Sequence, residues 1–356
     1  MVLGCFASGE TRFQSSGTMA LIKRRTVLCM LAAAATPAIA RANPVEQDFF
    51  KGMVEKGTLP GVKDRLPLVP RVVDLAAKGH APGKHGGTIR MLIGGQKDIR
   101  LMTINGYARL VGYDEHLKMQ PDILESYEQV EDRIFTFHLR PGHRWSDGSP
   151  FTAEDFRYTW EDVLTNKDLR RRGLPREFLS EGKPPKFEVI DELTVRYSWD
   201  DPHPGFLANL ASAQALTVAM PSAYMKRFHL GYIDQAAIDA AMQKYRVETW
   251  PDLHTKLSRS YRPENPDLPT LDPWRNTTQP PSEQYVFDRN PYFHRVDENG
   301  LQLPYVDRVL LNVSSSQIIS AKTGAGETDL QITSLDFADY TFLKSAEKIH
   351  PVSVKL

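Results

Sequence analysis

Alternation of apolar and polar residues predicts several strands along the chain. Residues 134–140 place aromatic or aliphatic side chains at every second position, which is the period of a half-buried strand. Residues 193–199 show the same alternation. Residues 87–94 form a short apolar run between glycines and predict a further strand. Pro141-Gly142 and Asp147-Gly148 predict turns after the first of these strands.

Apolar residues at helical spacing predict two amphipathic helices. Thr152 is followed three residues later by Asp155, a pattern that is typical of a capping box at a helix N-terminus. The apolar stripe after this cap consists of Phe156, Trp160, Val163 and Leu164. The second stripe consists of Ile238, Ala241, Met242 and Tyr245. We expect each helix to bury one face.

The end of the chain shows a pattern of strand, helix and strand. Residues 309–313 predict a buried strand, and Ser314 with Gln317 is expected to cap a short helix. The helix is expected to end at Gly324 or two residues later. Residues 329–332 predict the next strand. This order at this spacing is typical of a βαβ unit.

A proline-rich segment precedes this unit. Residues 263–281 hold six prolines in nineteen positions, so they are not expected to form a helix or a central strand. The segment is predicted to be either a surface loop or a crossing between two lobes. Trp274 lies in it, where the pattern predicts no regular element to bury an aromatic ring. The ring is expected either to pack between lobes or to line a cleft.

Composition and charge exclude several classes of protein. The chain has 44 basic and 44 acidic residues, so its zero net charge gives no electrostatic reason to expect nucleic acid as the main partner. Hydrophobic residues make up 41% and charged residues 25%, which indicates a globular rather than a disordered chain. A length of 356 residues is enough for two domains of ordinary size.

The N-terminus has the order of regions that is typical of a secretory signal. The basic residues Lys23–Arg25 precede a mostly apolar run over residues 26–35, and small residues follow at 38–40. We therefore predict a signal peptide over residues 19–42. The paired arginines directly before the apolar run favour the twin-arginine export route.

Cleavage of this leader is expected after Ala40 or Ala42. Either cut would remove both cysteines of the chain, Cys5 and Cys29. A mature chain without thiols suits an oxidising compartment such as a bacterial periplasm. Met19 is expected to be the true start. A buried Ala-rich helix is the alternative interpretation of this stretch.

The sequence lacks the common catalytic motifs. Neither Gly-x-Ser-x-Gly nor His-Glu-x-x-His is present. Residues 79–84 resemble a phosphate-binding loop, but one residue is missing between the glycines, and His85 stands where Ser or Thr is required. We therefore expect no catalytic residue, no metal site and no cofactor.

Three neighbouring segments carry the pattern of a known family: Pro121–Tyr127, Phe135–Gly142 and Trp145–Phe156. They closely resemble the signature of family 5 extracellular solute-binding proteins, the periplasmic receptors of peptide, nickel and related ABC importers. Further segments are similar to the family's N-terminal arm and second lobe: Leu59-Pro60, Asp64–Pro67, Gly86–Thr88, Asn290–Phe293, Asn299–Val309 and Gly326–Ile332.

The resemblance implies an α/β protein with the two-lobe periplasmic-binding-protein-like fold. Family members continue well past the last residue of this chain, so the first lobe is expected to be nearly complete and the second truncated. The expected order is a signal peptide (19–42), an N-terminal arm (43–86), the first lobe (87–262), a Pro-rich crossing (263–300) and the start of the second lobe (301–356).

The resemblance also implies a substrate-binding subunit rather than an enzyme. A small molecule or oligopeptide would be buried between the lobes and passed to ABC permease subunits in the inner membrane. The protein is expected to be a periplasmic monomer without a nucleic-acid partner. An exported hydrolase that lacks its catalytic half and a non-binding structural fragment are the alternatives. The groups expected to face the cleft are Gly94, Gly95, Asn105, Gly106, Tyr107, Trp274 and Arg275.

Overall fold

Two four-stranded sheets organise residues 44–355, which are the residues that the computed structural model describes. The predicted signal peptide lies outside this range. The strands are β1 (Arg71–Val73), β2 (Thr88–Ile93), β3 (Val111–Tyr113), β4 (Met119–Pro121), β5 (Leu124–Val130), β6 (Ile134–Leu139), β7 (Lys186–Asp191), β8 (Thr194–Ser198), β9 (Trp274–Asn276), β10 (Gln284–Arg289), β11 (Arg295–Asp297) and β12 (Arg308–Val313).

Short helices connect the strands. They are α1 (Asp48–Glu55), α2 (Val62–Arg65), α3 (Leu101–Gly106), α4 (Ala153–Arg157, continued as a π-helix over Tyr158–Leu164), α5 (Phe206–Leu210), α6 (Ser222–Met225), α7 (Gln235–Tyr245), α8 (Trp250–Leu257), α9 (Ser316–Gly324) and α10 (Tyr340–Ala346). Short 3₁₀ helices cover Gln96–Arg100, Arg176–Phe178, Lys226–Phe228 and Phe337–Asp339. Within residues 44–355, none of the helices combines the length and the apolar character that a membrane span needs.

The first sheet is antiparallel and has the order β5-β6-β8-β7. Phe135 of β6 lies opposite Tyr197 of β8, and Phe137 lies opposite Val195. All four side chains are buried in one apolar core, together with residues from α4 and α5. The strands predicted from alternation at 134–140 and 193–199 are therefore confirmed.

The second sheet has the order β2-β12-β10-β9. Strand β12 runs parallel to β2 and antiparallel to β10, and β9 pairs with β10 at the other edge. The strands predicted at 87–94 and 309–313 are confirmed. The expectation that no regular element surrounds Trp274 is wrong, because Trp274 begins β9. An edge strand tolerates the neighbouring prolines, since only one of its sides pairs with the sheet.

Strand β12, from the predicted second lobe, pairs with β2, from the predicted first lobe. The domain boundaries given above stay predictions. The predicted arm contacts the rest of the chain through β1, which pairs in parallel with β11. Arg65 of the arm is fully buried and donates a hydrogen bond to the Pro291 carbonyl oxygen. It also forms an ion pair of 2.7 Å with Glu46.

The predicted capping box at Thr152 is confirmed and extends further than the sequence indicated. The Thr152 backbone N–H donates to Asp155 Oδ2 (3.0 Å), and the Glu154 N–H donates to Thr152 Oγ1 (3.3 Å). Asp155 also accepts from the Trp145 indole (3.0 Å) and from the Ser222 N–H (2.8 Å). One buried carboxylate therefore connects the preceding turn, α4 and α6.

Two expectations for the end of the chain are wrong. Helix α9 begins at Ser316, its N-cap residue is Ser315 rather than Ser314, and the Ser315 side chain forms no capping hydrogen bond. The Ser314 hydroxyl has no hydrogen-bond partner among the described residues. Residues 329–332 do not form a strand. They lie along the outer edge of β2, where the Asp329 and Gln331 side chains accept hydrogen bonds from the backbone N–H groups of Arg90 and Leu92. At these two positions, side-chain oxygens accept the hydrogen bonds that backbone carbonyl groups of a neighbouring strand would otherwise accept.

A buried charge cluster centred on Asp122 connects three parts of the chain. Asp122 is 1% exposed and forms ion pairs with Arg71 of β1 (2.5 Å) and Arg295 of β11 (2.6 Å). It also contacts His294 Nε2 at 2.9 Å. Burial alone would raise the pKa of Asp122, but Arg295 and His294 outweigh it and lower the pKa well below its usual value.

Replacing Asp122 by Asn should lower the free energy of unfolding by about 3–5 kcal/mol, because two arginines would lose their buried counter-charge. Urea denaturation followed by circular dichroism measures this loss. The exposed Asp239→Asn change on α7 is the control and should alter stability by less than about 0.5 kcal/mol. A loss below about 1 kcal/mol for Asp122→Asn would contradict a central role for the cluster.

Buried histidines predict that the fold loses stability in weak acid. Burial lowers the pKa of His254 to about 3 and that of His294 to about 4, and it holds the pKa of His143 well below its usual value. The unfolded chain takes up protons at these histidines as the pH falls below about 6.5, whereas the folded chain does not. The stability that these uncharged histidines contribute is therefore fully present above about pH 6.5 and is lost as the pH falls towards 4.

Urea midpoints measured at several pH values should decrease across this interval. Each histidine contributes at most about 1.4 kcal/mol per pH unit. Burial raises the pKa of Asp272 to about 6 and also raises the pKa of Asp155, so these two carboxyl groups act in the opposite direction to the three histidines. His254→Gln keeps a side chain that can bond to the Tyr158 hydroxyl (2.8 Å in the native pair) and should reduce the slope. A midpoint that does not change with pH would refute the prediction.

Candidate functional site

A cavity of about 150 Å³ lies between the segment after α3, the segment after α5 and the start of the Pro-rich crossing. Its wall is mostly apolar, with a few polar groups from the crossing. The residues that line it are Thr103, Ala108, Arg109, Leu110, Ile123, Trp145, Phe151, Leu210, Ala213, Ala215, Leu216, Thr217, Val218, Ala219, Met220, Pro221, Ser258, Ser260, Tyr261, Leu268, Pro269, Thr270, Leu271 and Asp272. An apolar cavity with few polar groups is the usual form of a ligand site.

Asp272 supplies the carboxylate of this cavity. Its Oδ2 accepts a hydrogen bond from the Thr270 hydroxyl at 3.1 Å, and its own backbone N–H donates to the same hydroxyl at 3.0 Å. Arg109 and Arg295 act on it by charge at a distance and donate no hydrogen bond to it. Burial outweighs their effect and raises the pKa of Asp272 to about 6.

Arg109 holds one wall of the cavity in place. It is 6% exposed, and its guanidinium donates to the carbonyl oxygens of Thr103 (3.0 Å), Ser212 (2.9 Å) and Ala213 (2.7 Å). These bonds connect α3 to the segment that follows α5. Since backbone carbonyls occupy its donors, Arg109 orders the wall and acts on Asp272 by charge without a hydrogen bond.

Hydrogen bonds hold the Pro-rich crossing against Ser146, which lies between β6 and α4, and against Asn290, which follows β10. Ser146 and Thr270 exchange two hydrogen bonds of 3.0 Å. The Asn290 side chain donates to the Asp272 carbonyl oxygen at 2.9 Å, and its N–H donates to the Pro273 carbonyl oxygen at 2.8 Å. The polar end of the cavity is therefore held on both sides.

The predicted residues Asn105, Gly106 and Tyr107 lie at the end of α3, next to this cavity but not in its wall. A Cβ on Gly106 would lie 2.9 Å from Pro273 Cδ, so glycine allows α3 to approach the crossing closely. The Tyr107 hydroxyl donates to the Ala211 carbonyl oxygen at 2.9 Å. Asn105 is exposed.

Trp274 and Arg275 line a second, smaller cavity of about 20 Å³, to which Asp272 also contributes. The Trp274 ring packs against the core of the second sheet, and its indole N–H donates to the Val306 carbonyl oxygen at 3.0 Å. Trp274 is therefore half-buried packing at an edge strand. Arg275 Nε has no hydrogen-bond partner among residues 44–355.

Gly94 and Gly95 follow β2 and line neither of these two cavities. A Cβ on Gly94 would lie 3.0 Å from the Ser316 hydroxyl, and the Gly95 N–H donates to Asp98 Oδ2 at 3.1 Å. They mark the end of the sheet where the parallel strands β2 and β12 both terminate. All seven predicted ligand-binding residues stay predictions, and the structure divides them between these three places.

The sequence did not reveal Asp272 or Arg109. The available signal was weak: an acidic residue between Leu271 and Pro273, inside a segment with no regular pattern. Among residues 44–355, no group of three or more His, Cys, Asp and Glu side chains is arranged to hold a metal ion. The cavity has a mostly apolar wall, several hydroxyl groups, Arg109 and one carboxylate.

Comparison with known proteins gives concordant results. The family model for bacterial extracellular solute-binding proteins, family 5 (middle region), matches residues 118–354. The periplasmic alpha-galactoside-binding protein of Rhizobium meliloti is 28% identical over 297 residues, which is 77% of this chain and 40% of that protein. The periplasmic oligopeptide-binding protein OppA of Escherichia coli is 28% identical over 120 residues, 30% of this chain and 22% of that protein.

Solved structures agree with the sequence relatives. An oligopeptide-binding protein OppA superposes with a TM-score of 0.74 at 31% identity, over 86% of this chain and 48% of that chain. The periplasmic binding protein MelB of Agrobacterium fabrum, in complex with stachyose, gives 0.66 at 24% identity, over 85% and 46%, which supports the fold alone. The chain thus spans about half the length of these relatives.

These relatives are binding proteins rather than enzymes, as the sequence predicted. The matched family also confirms the predicted α/β fold of the periplasmic-binding-protein type. Because the family model covers two thirds of the sequence, the chain belongs to the bacterial extracellular solute-binding proteins of family 5.

Proposed function

We propose that the chain is the substrate-binding subunit of a peptide-type ABC importer, and that it captures a small solute in the periplasm and delivers it to the permease. The observation that carries the proposal is the family match over residues 118–354. The relatives are named for periplasmic binding of oligopeptides and of alpha-galactosides. The Asp272 cavity gives the described residues a place that suits part of such a ligand.

The cavity favours a peptide-type solute over a saccharide as the ligand. Its wall is formed mainly by leucine, valine, alanine and aromatic side chains, which match apolar side chains better than a row of sugar hydroxyls. Its carboxylate offers a partner for an amino group or another hydrogen-bond donor. A galactoside remains the second candidate because the R. meliloti relative carries that name.

Calorimetric titration of the purified chain with a mixture of short peptides, and separately with raffinose and stachyose, tests the proposal. We expect heat from the peptides at millimolar concentration or below. Binding of the two saccharides without peptides would overturn the peptide assignment but not the binding function. No response to either class from a chain that melts cooperatively would overturn the binding function itself.

Arg109→Lys supplies a structural check on the same titration. Lysine lacks the planar fork that bonds four carbonyl groups, so the wall formed by residues 212–213 should loosen and affinity should decrease roughly 10-fold. Arg100→Lys is the matched control, because Arg100 is exposed and lines neither cavity. Equal affinities of the two variants would place the ligand elsewhere.

Export to the periplasm forms part of the proposal and can be tested separately. We expect osmotic shock of a Gram-negative host to release a chain whose mass corresponds to cleavage after Ala40 or Ala42. Replacing both Arg24 and Arg25 by Lys should retain the precursor in the cytoplasm if the twin-arginine route is used. A wild-type chain that stays uncleaved in the cytoplasm would overturn periplasmic function.

A further inference from the structure

The Asp272 cavity combines the volume of a small organic molecule with a mostly apolar wall. Its side walls include Leu110, Ile123, Trp145, Leu216 and Val218. A volume of about 150 Å³ with such a lining is sufficient for a molecule the size of benzene. The body of the ligand group that fits here is therefore apolar and contains about six to eight non-hydrogen atoms.

The polar end of the same cavity is anionic and incompletely bonded. Among residues 44–355, the Thr270 hydroxyl donates to Asp272 Oδ2, whereas no side chain or backbone group donates to Oδ1. The nearest cationic side chain in the wall, Arg109, donates to backbone carbonyls instead. An accessible carboxylate oxygen that has no donor within residues 44–355, on a residue that lines a cavity, is a position that a ligand can fill with a charge-assisted hydrogen bond.

From this geometry we infer that the cavity is a subsite for a primary ammonium group attached to an apolar body. The ammonium bonds to Asp272 Oδ1, and the attached hydrocarbon packs against the apolar wall. The inference rests on the proposed function, since it specifies the chemistry of the solute or of one of its side groups. An uncharged saccharide offers hydroxyl donors to the carboxylate but no cation, so it would occupy this subsite less tightly than an amine.

The charges around Asp272 make this binding dependent on pH. The charged groups that act on the carboxylate are Arg109 beside α3, Arg295 of β11 and Asp122 between β4 and β5. Burial has the largest effect and raises the pKa of Asp272 to about 6. The carboxylate is therefore ionised at about pH 8 and largely protonated at about pH 5, whereas an alkylammonium stays charged at both. Binding of the amine should weaken as the pH is lowered.

Calorimetry or ligand-observed NMR with benzylamine and benzyl alcohol provides the test, because the two probes have the same shape and differ in charge. At about pH 8 we expect wild-type protein to bind benzylamine roughly 10- to 100-fold more tightly than benzyl alcohol. Asp272→Asn, which keeps the shape of the side chain, should abolish that preference. Asp267→Asn, an exposed change in the same segment, should leave it intact.

Two results would overturn the inference. One is the absence of benzylamine binding to a cooperatively folded wild-type chain. The other is a preference for benzylamine that does not depend on the ionised Asp272 carboxylate, as shown by its persistence in Asp272→Asn or by its failure to decrease between about pH 8 and about pH 5. Failure of this inference is distinguishable from failure of the proposed function, because the peptide and saccharide titrations do not depend on benzylamine.

Discussion

The ion-pair cluster around Asp122 is the interaction on which the arrangement of the described chain depends. It joins β1 of the arm, the start of the first sheet and β11 in one buried contact. Its influence extends to the cavity, because Asp122 Oδ2 also accepts the Arg109 backbone N–H at 2.9 Å, and Arg295 donates to the Tyr107 carbonyl oxygen at 2.7 Å. A buried charge of this kind stabilises only when its partners are in place, so it specifies how the segments meet.

The local sequence pattern is sufficient to predict the strands and helices, but not the contacts between them. The strands at 134–140 and 193–199 and the capped helix at Thr152 follow from residues close together in sequence, and the structure confirms them. The Asp122 cluster has partners 172 and 173 residues away, and nothing in the spacing of these residues indicates the pairing. The error at residues 329–332 has a similar origin, because the apolar pattern of a strand does not reveal that side chains will bond to β2.

The candidate site was harder to predict than the fold. The sequence around Trp274 has no regular pattern and so predicts a ring that packs between lobes or lines a cleft, yet pairing of β9 with β10 places the ring against the core of the second sheet. The residue that gives the cavity its charge lies two positions earlier. A single Asp beside a proline is usually a turn residue, and only the packing of three distant segments around it shows that it lines a cavity.

Two carboxylates have different roles: the buried Asp122 belongs to the scaffold, and the half-buried Asp272 lines the candidate site. Surrounding cations lower the pKa of Asp122, so its ionised form stabilises the fold. The pKa of Asp272 is raised to about 6, so at neutral pH its ionised form costs the folded chain about 3 kcal/mol relative to an ordinary aspartate. The Asp272 side chain accepts one hydrogen bond, from the Thr270 hydroxyl. A charge that destabilises the fold and lines a cavity is expected where binding, rather than stability, maintains the residue.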